Sequence, residues 1–287
     1  AGYWLVHAGH AGPAGAAAAL AALALAGRAA VIGTTFALAR FHRAPVPEGA
    51  RLKPLQAVRM ALEEYLAFIL LFTVVQPFER LFMGADRLRP AEDRPPLLLV
   101  HGYECNRAFW WRLRPRLERA GWQVATVNLE PVFAGIDAYA DVIARRIGEV
   151  CRATGARAVI LVAHSMGGLA ARAYLRRHGR ERVARLVTLG SPHAGSRLAP
   201  LGIGENARQM VPGSVWLAEL NGARPAPLPP HSVSLYSYHD NYVMPQSSAC
   251  LAGARNVPVA GVGHLAMACN GRFARCLLEE LARPTNT

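Results

Sequence analysis

The chain has 287 residues, 52% of them apolar, and a formal net charge of +13, with a mean hydropathy of +0.16. That length suits one large α/β domain plus an accessory segment, or two small domains. All but one of the 32 basic residues are arginine, Lys53 being the exception; no basic stretch carries interleaved aromatics, so nucleic acid is excluded as a partner.

The charge fits either a solvated basic surface or attraction to anionic lipid. Five cysteines, Cys105, Cys151, Cys250, Cys269 and Cys276, form neither a disulfide framework nor a zinc pattern. They read as small buried hydrophobes. A single bridge from Cys250 to Cys269 or Cys276 stays open.

Residues 14–39 form an apolar run with one charge, Arg28. As a helix this run is roughly 39 Å long, enough to cross a bilayer core of ~30 Å. The central arginine costs about 2.5–3.5 kcal/mol on insertion. A transmembrane span is the leading reading; a helix packed on another helix, or a soluble amphipathic helix, is the alternative. No basic stretch precedes the run, so it does not read as a signal peptide. The chain begins without Met, in keeping with a fragment of a longer protein.

Residues 65–78, "YLAFILLFTVVQPF", are short for a span and follow Glu63 and Glu64. They fit a helix lying in the membrane interface, or one docked on the rest of the protein. Arg40, Arg43, Arg51, Lys53 and Arg59 mark the stretch between the two runs as a basic linker. The positive-inside rule places it in the cytoplasm. The expectation is association with a bacterial inner membrane, the side of the later domain being open. Residues 1–95 are thus assigned as a hydrophobic, membrane-associating segment, with residues 87–96 as the linker into a second unit, 96–287.

From residue 96 the pattern alternates. Strands are expected at 97–103, 122–129, 157–163, 183–192, 232–238 and 256–262. Helices are expected at 106–121, where Pro115 must kink or split the element, at 136–155, 167–179 and 266–282. Such alternation implies βαβ units and a mostly parallel sheet flanked by helices, preceded by the hydrophobic helical segment.

The chemistry centres on "ILVAHSMGGLAARAYL", residues 160–175. A buried strand, a sharp turn and a helix expose a serine hydroxyl at the helix N-terminus, where free N–H groups favour negative charge. Ser165 is the expected nucleophile. Such enzymes place the acid and then the histidine later in the chain. Asp240 is the sole aspartate after Ser165, and His264 the sole histidine after Asp240. Both follow expected strands. His264 is therefore the expected base and Asp240 its orienting acid. The other acids in that interval, Glu181, Glu205 and Glu219, do not follow suitable strands. The oxyanion is expected to meet the backbone N–H groups of Met166 and of Tyr103, which follows Gly102 at the end of the first strand. Their side chains are then free to line an acyl pocket. His101, His164 and His193 read as structural, and Cys105 lacks a helix-entry turn.

Together "VHGY", "VAHSMGGLAARAYL", "VTLGSPHAGS" and "GARNVPVAGVGHLAM" resemble bacterial lipases and esterases of the α/β-hydrolase superfamily, over roughly residues 96–283. The elbow with alanine in its first position, "YSYHDNYVMP" and "GARNVPVAGVGH" are similar to the small Bacillus lipases; "LGSPHAGS" is closer to Pseudomonas and Burkholderia lipases. The resemblance implies an α/β-hydrolase fold and hydrolysis of lipid-like carboxylic esters through Ser165, Asp240 and His264, with no cofactor. The extracellular localisation of the small Bacillus enzymes does not carry over, because they have no membrane-like N-terminal segment. The structural calcium of the larger lipases needs aspartates near the histidine loop; no second aspartate follows Ser165 here, so no metal is expected. An insert around 196–230 is expected to form a short cap. In it Met210, Val211, Val215, Trp216 and Leu217 either shield the acyl site, with Trp216 touching substrate, or form a packed core patch. Phospholipid deacylation, thioester hydrolysis and acyl transfer fit the same triad, and a non-catalytic membrane-bound scaffold is the reading outside enzymology. Oligomeric state is not legible.

Overall fold

A computed structural model describes residues 12–91, 94–222 and 228–283. Its centre is a parallel sheet of six strands in the order β2-β1-β3-β4-β5-β6. The strands are β1 (Leu97–Val100), β2 (Val124–Val127), β3 (Val159–His164), β4 (Val183–Leu189), β5 (Val233–Ser237) and β6 (Arg255–Val259). β1 to β3 are buried along their whole length. Continuous apolar runs are what a parallel strand needs when both faces are covered. The chain leaves β1 for β2 on one side and returns to β3 on the other. The gap between β1 and β3 is therefore the point where the order reverses and where α/β sheets hold their sites.

Helices α1 (Pro13–His42), α2 (Pro54–Ile69) and α3 (Glu79–Phe82) precede the sheet. Helices α4 (Arg114–Arg119), α5 (Ile136–Thr154) and α6 (Met166–His178) lie between strands. The insert holds α7 (Glu205–Gln209) and α8 (Val215–Leu220), and α9 (Gly271–Ala282) closes the chain. Pro115 does split the helix expected at 106–121, into a 3₁₀ turn, Arg107–Trp110, and α4. Proline has no N–H to continue the ladder, and at the first turn of a new helix none is needed. Residues 223–227 of the insert and 92–93 of the linker lie outside the described residues.

The basic linker expected between the apolar runs is largely helical instead. α1 extends to His42, and α2 starts at Pro54, well before residue 65. Pro54 suits a first helical position, and Gln56 Oε1 accepts the Lys53 N–H at 2.9 Å. α2 is apolar on two sides. Met60, Glu64 and Ala67 face inward, followed by Leu71 and Val75 of a π-helical turn, Leu70–Val75. Ala67, Leu71, Val75 and Met83 belong to the same core cluster as Leu97 and Leu99 of β1. Leu55, Val58, Leu62, Leu66 and Leu70 form an outward stripe at three- and four-residue spacing.

The stretch before β1 is tied down by charge. Asp86, 6% exposed, pairs with Arg114 at 3.1 Å and Arg146 at 2.6 Å. Its Oδ2 also accepts the Thr126 N–H of β2 at 2.8 Å. All five cysteines are free thiols.

Candidate active site

Four strand ends build the site. Ser165 follows β3 directly and begins α6. Its φ of 55° is unusual for a residue other than glycine. Such strain persists where the surroundings over-determine it. Here the Ser165 N–H donates to Leu189 O of β4 at 2.9 Å. Gly167 lets α6 close on β1: a Cβ there would overlap the carbonyl oxygens of His101 and Val100. Ala163 is fully buried, between Val100 of β1 and Thr188 of β4. A methyl group fits that slot.

Asp240 follows β5, and His264 follows β6. His264 Nε2 lies 2.9 Å from Ser165 Oγ, and its Nδ1 lies 2.8 Å from Asp240 Oδ2. Asp240 Oδ1 accepts the N–H groups of Tyr242 and Val243, each at 2.8 Å. One carboxylate oxygen is thus held by backbone while the other faces the imidazole. Asp240 and His264 are almost fully buried, and Ser165 is half-buried. Burial opposes a charge on His264, but the Asp240 carboxylate, its hydrogen bond and the charge of Glu64 outweigh burial and raise the pKa.

The turn after β1 abuts the serine, for a Cβ on Gly102 would lie 2.8 Å from Ser165 Cβ. Among the described residues neither the Tyr103 nor the Met166 N–H has a hydrogen-bond acceptor. The Tyr103 hydroxyl donates to Ile203 O at 2.7 Å and accepts the Ile203 N–H at 2.8 Å, which ties the turn to the insert.

His101, His164 and His193 make supporting contacts. His101 Nε2 accepts the Leu129 N–H at 3.0 Å, so its proton sits on Nδ1, 2.9 Å from Gly102 O. Burial lowers its pKa to about 4, which keeps it neutral. His164 stacks on Phe109, ring centroids 4.2 Å apart, and its Nε2 lies 3.2 Å from His264 O. His193 is buried against Thr188 and Arg172. Burial pushes the Cys105 thiol up to about 12, so it stays protonated.

Trp216 joins the core cluster on the α5–α6 side with Met210, Leu217 and Leu220. Its indole N–H donates to Asp137 Oδ2 at 2.9 Å, and Arg176 lies 5.8 Å from the ring centroid. These contacts fit the packed-patch reading of the insert.

Two participants escape sequence reasoning. Glu64 of α2 accepts the N–H groups of Leu265 and Ala266, and Asn241 accepts that of His264. Glu64 carries a faint signal, a carboxylate on the apolar inward face of a helix. Asn241 carries none beyond adjacency to Asp240.

This topology and these strand-end positions have recognisable counterparts. The family described as alpha/beta hydrolase fold matches residues 95–228. The chain has the α/β-hydrolase fold. Two curated relatives, triacylglycerol lipases of Pseudarthrobacter phenanthrenivorans and Burkholderia plantarii, are each 32% identical over 117 residues, 38% of the chain. The match spans about a third of their length, 36% and 32%. Among solved structures, a mature Bacillus licheniformis lipase superposes with a TM-score of 0.61 at 19% identity, covering 70% of this chain and 96% of that one. Aspergillus fumigatus lipase B superposes at 0.59 with 18% identity, covering 67% and 54%. At such identities the likeness is one of fold.

Proposed function

We propose that this chain is a serine hydrolase that cleaves carboxylic esters of lipid-like substrates through an acyl-enzyme. The observation that carries the reading is the hydrogen-bonded line Ser165 Oγ–His264 Nε2, 2.9 Å, and His264 Nδ1–Asp240 Oδ2, 2.8 Å. His264 takes the proton as Ser165 Oγ bonds to the acyl carbon. Asp240 holds the imidazole in the tautomer with its proton on Nδ1 and stabilises the imidazolium that forms. The Tyr103 and Met166 N–H groups accommodate the tetrahedral oxyanion, aided by the N-terminus of α6. His264 then protonates the leaving alcohol, and water, deprotonated by the same histidine, releases the acid.

The lipid part of the reading rests on similarity to the two triacylglycerol lipases and on the apolar surface of the N-terminal helices. α1 is long and apolar enough to cross a membrane, with 11% of its most apolar window buried. α2 adds its own outward apolar stripe. Beside it, a groove of about 600 Å³ runs between α2 and residues 261–275, rimmed by Arg59, Arg112, Arg272 and Arg275. Apolar side chains with arginine heads suit an anionic bilayer surface. We read the helices as a membrane attachment that keeps the catalytic unit at its substrate.

A fluorophosphonate probe tests the chemistry. The folded protein should form an adduct at Ser165, and Ser165→Ala should lose both the adduct and ester hydrolysis. An unlabelled Ser165 in folded protein would falsify the reading. p-Nitrophenyl esters of increasing chain length test the substrate class, and preference for acetyl esters alone counts against a lipid substrate.

A further inference from the structure

The N-terminal helices hold the loop that carries His264. Glu64 has no exposed surface. Its Oε1 accepts the Leu265 N–H at 2.9 Å and its Oε2 the Ala266 N–H at 2.8 Å. Those two residues open the 3₁₀ turn Leu265–Ala268, which begins immediately after His264. The carboxylate of one helix therefore caps a turn some 200 residues later in the chain. Gly263, on the other side of His264, is in close contact with it: a Cβ there would lie 2.7 Å from Glu64 Cδ.

A second tie comes from α1. Thr35 Oγ1 accepts from Asn241 Nδ2 at 2.8 Å, and Asn241 Oδ1 accepts the His264 N–H at 3.1 Å. Three consecutive N–H groups, 264 to 266, thus end on side chains that are part of, or braced by, the two N-terminal helices. From below, His164 Nε2 meets His264 O.

Resting on the reading of His264 as the general base, we propose that Glu64 is a positioning residue for the reaction: through the turn at 265–266 it fixes the loop that aims the imidazole at Ser165, so that the N-terminal helical segment completes the active site. Three features support a role beyond packing. A buried carboxylate is costly, and an uncharged side chain would fill α2 without that cost. Burial drives the Glu64 pKa up to about 7, against the lowering effect of its two backbone hydrogen bonds. Its negative charge is also one of the groups that raise the pKa of His264. The titratable groups that face it are His264 and Asp240, with Tyr242 and Cys269 nearby.

The test uses the full chain in detergent micelles, comparing wild type, Glu64→Gln, Glu64→Ala and Glu63→Gln. Glutamine keeps the shape but presents an NH₂ to one of the two N–H groups and carries no charge. Glu63 is its helix neighbour and bonds Arg59 and Asn270 instead. Rates for a p-nitrophenyl ester are normalised to sites labelled by fluorophosphonate. For Glu64→Gln, kcat should fall about tenfold or more, with KM within about twofold. The acid limb of its pH profile should move to lower pH, because the negative charge that Glu64 gains as it ionises near pH 7 no longer favours the imidazolium. Glu63→Gln should match wild type. A Glu64→Gln protein with wild-type kcat and an unmoved acid limb overturns the proposal. So does a loss of rate accounted for entirely by fewer labelled sites. If wild type itself neither labels nor turns over, the hydrolase reading fails instead. Amide exchange then still decides the loop: Leu265 and Ala266 should exchange faster in Glu64→Gln, and unchanged protection refutes the contact's role.

Discussion

His264 is buried among groups with opposing effects on its proton. Burial alone favours the neutral ring, while Asp240, 2.8 Å from Nδ1, and the nearby Glu64 favour the charged one. The second effect wins, so the folded pKa lies above the ordinary histidine value of about 6.5. In the proposed mechanism only the neutral imidazole takes the Ser165 proton. Activity should therefore be lost as pH falls, with the midpoint of the acid limb of kcat/KM above about 6.5. A pH–rate profile checks this; a midpoint at or below the ordinary value means that Asp240 does not dominate the ring's surroundings. The neighbouring histidines do not blur that profile, because burial holds His101 and His164 neutral. At this scale Ser165, Asp240 and His264, which lie within hydrogen-bonding distance of one another in the order Ser165–His264–Asp240, were legible as residue types following strands. Glu64 and Asn241 were not, since their partners are backbone N–H groups that only folding brings near.

At the scale of elements, β2, α4 and α5 are joined to the segment before β1 through one aspartate. The Asp86 side chain pairs with three arginines, Arg107, Arg114 and Arg146, and with the Thr126 N–H while almost fully buried. Removing one partner of a buried charge cluster leaves the others uncompensated, at a cost of about 3–5 kcal/mol. Asp86→Ala should show that loss in urea unfolding, while Glu48→Ala, whose pairing with Arg51 is exposed, should stay within about 0.5 kcal/mol of wild type. β1 and β3 were readable in the sequence because buried parallel strands are uninterrupted apolar runs; β5, with its serines, and the mostly exposed β6 are not such runs. The start of α2 was not readable: its first turns carry Lys53, Arg59 and an outward apolar stripe, and read as a basic linker until the inward face finds its partner.

Across the whole molecule, the N-terminal helices are continuous with the core on one side and apolar on the other. Ile32, Thr35 and Ala39 of α1 are buried, and Asn241 bonds Thr35. The C-terminal third of α1 is therefore docked on the acid loop. The preceding residues, 13–31, are mostly exposed, with Leu20, Leu23, Leu25 and Val31 among them. Nineteen helical residues reach roughly 28 Å, close to the thickness of a bilayer core. If this stretch anchors the protein, alkaline carbonate washing of membranes should leave it in the pellet, and detergent should release it. Recovery in the alkaline supernatant would contradict an integral helix.

The sequence by itself determined the alternating strands and helices, the small residues of the elbow at Ala163 and Gly167, and the order of Ser165, Asp240 and His264. These are local properties: burial on both faces selects apolar runs, and a tight turn selects small side chains. Tertiary structure alone decided that α2 lies against the histidine loop, that Glu64 caps the turn after His264, and that Trp216 packs between α5 and α6. Each of these is a contact between segments far apart in the chain. Its energy depends on what burial and hydrogen bonding do once both partners have left water, and no periodicity along one segment encodes that.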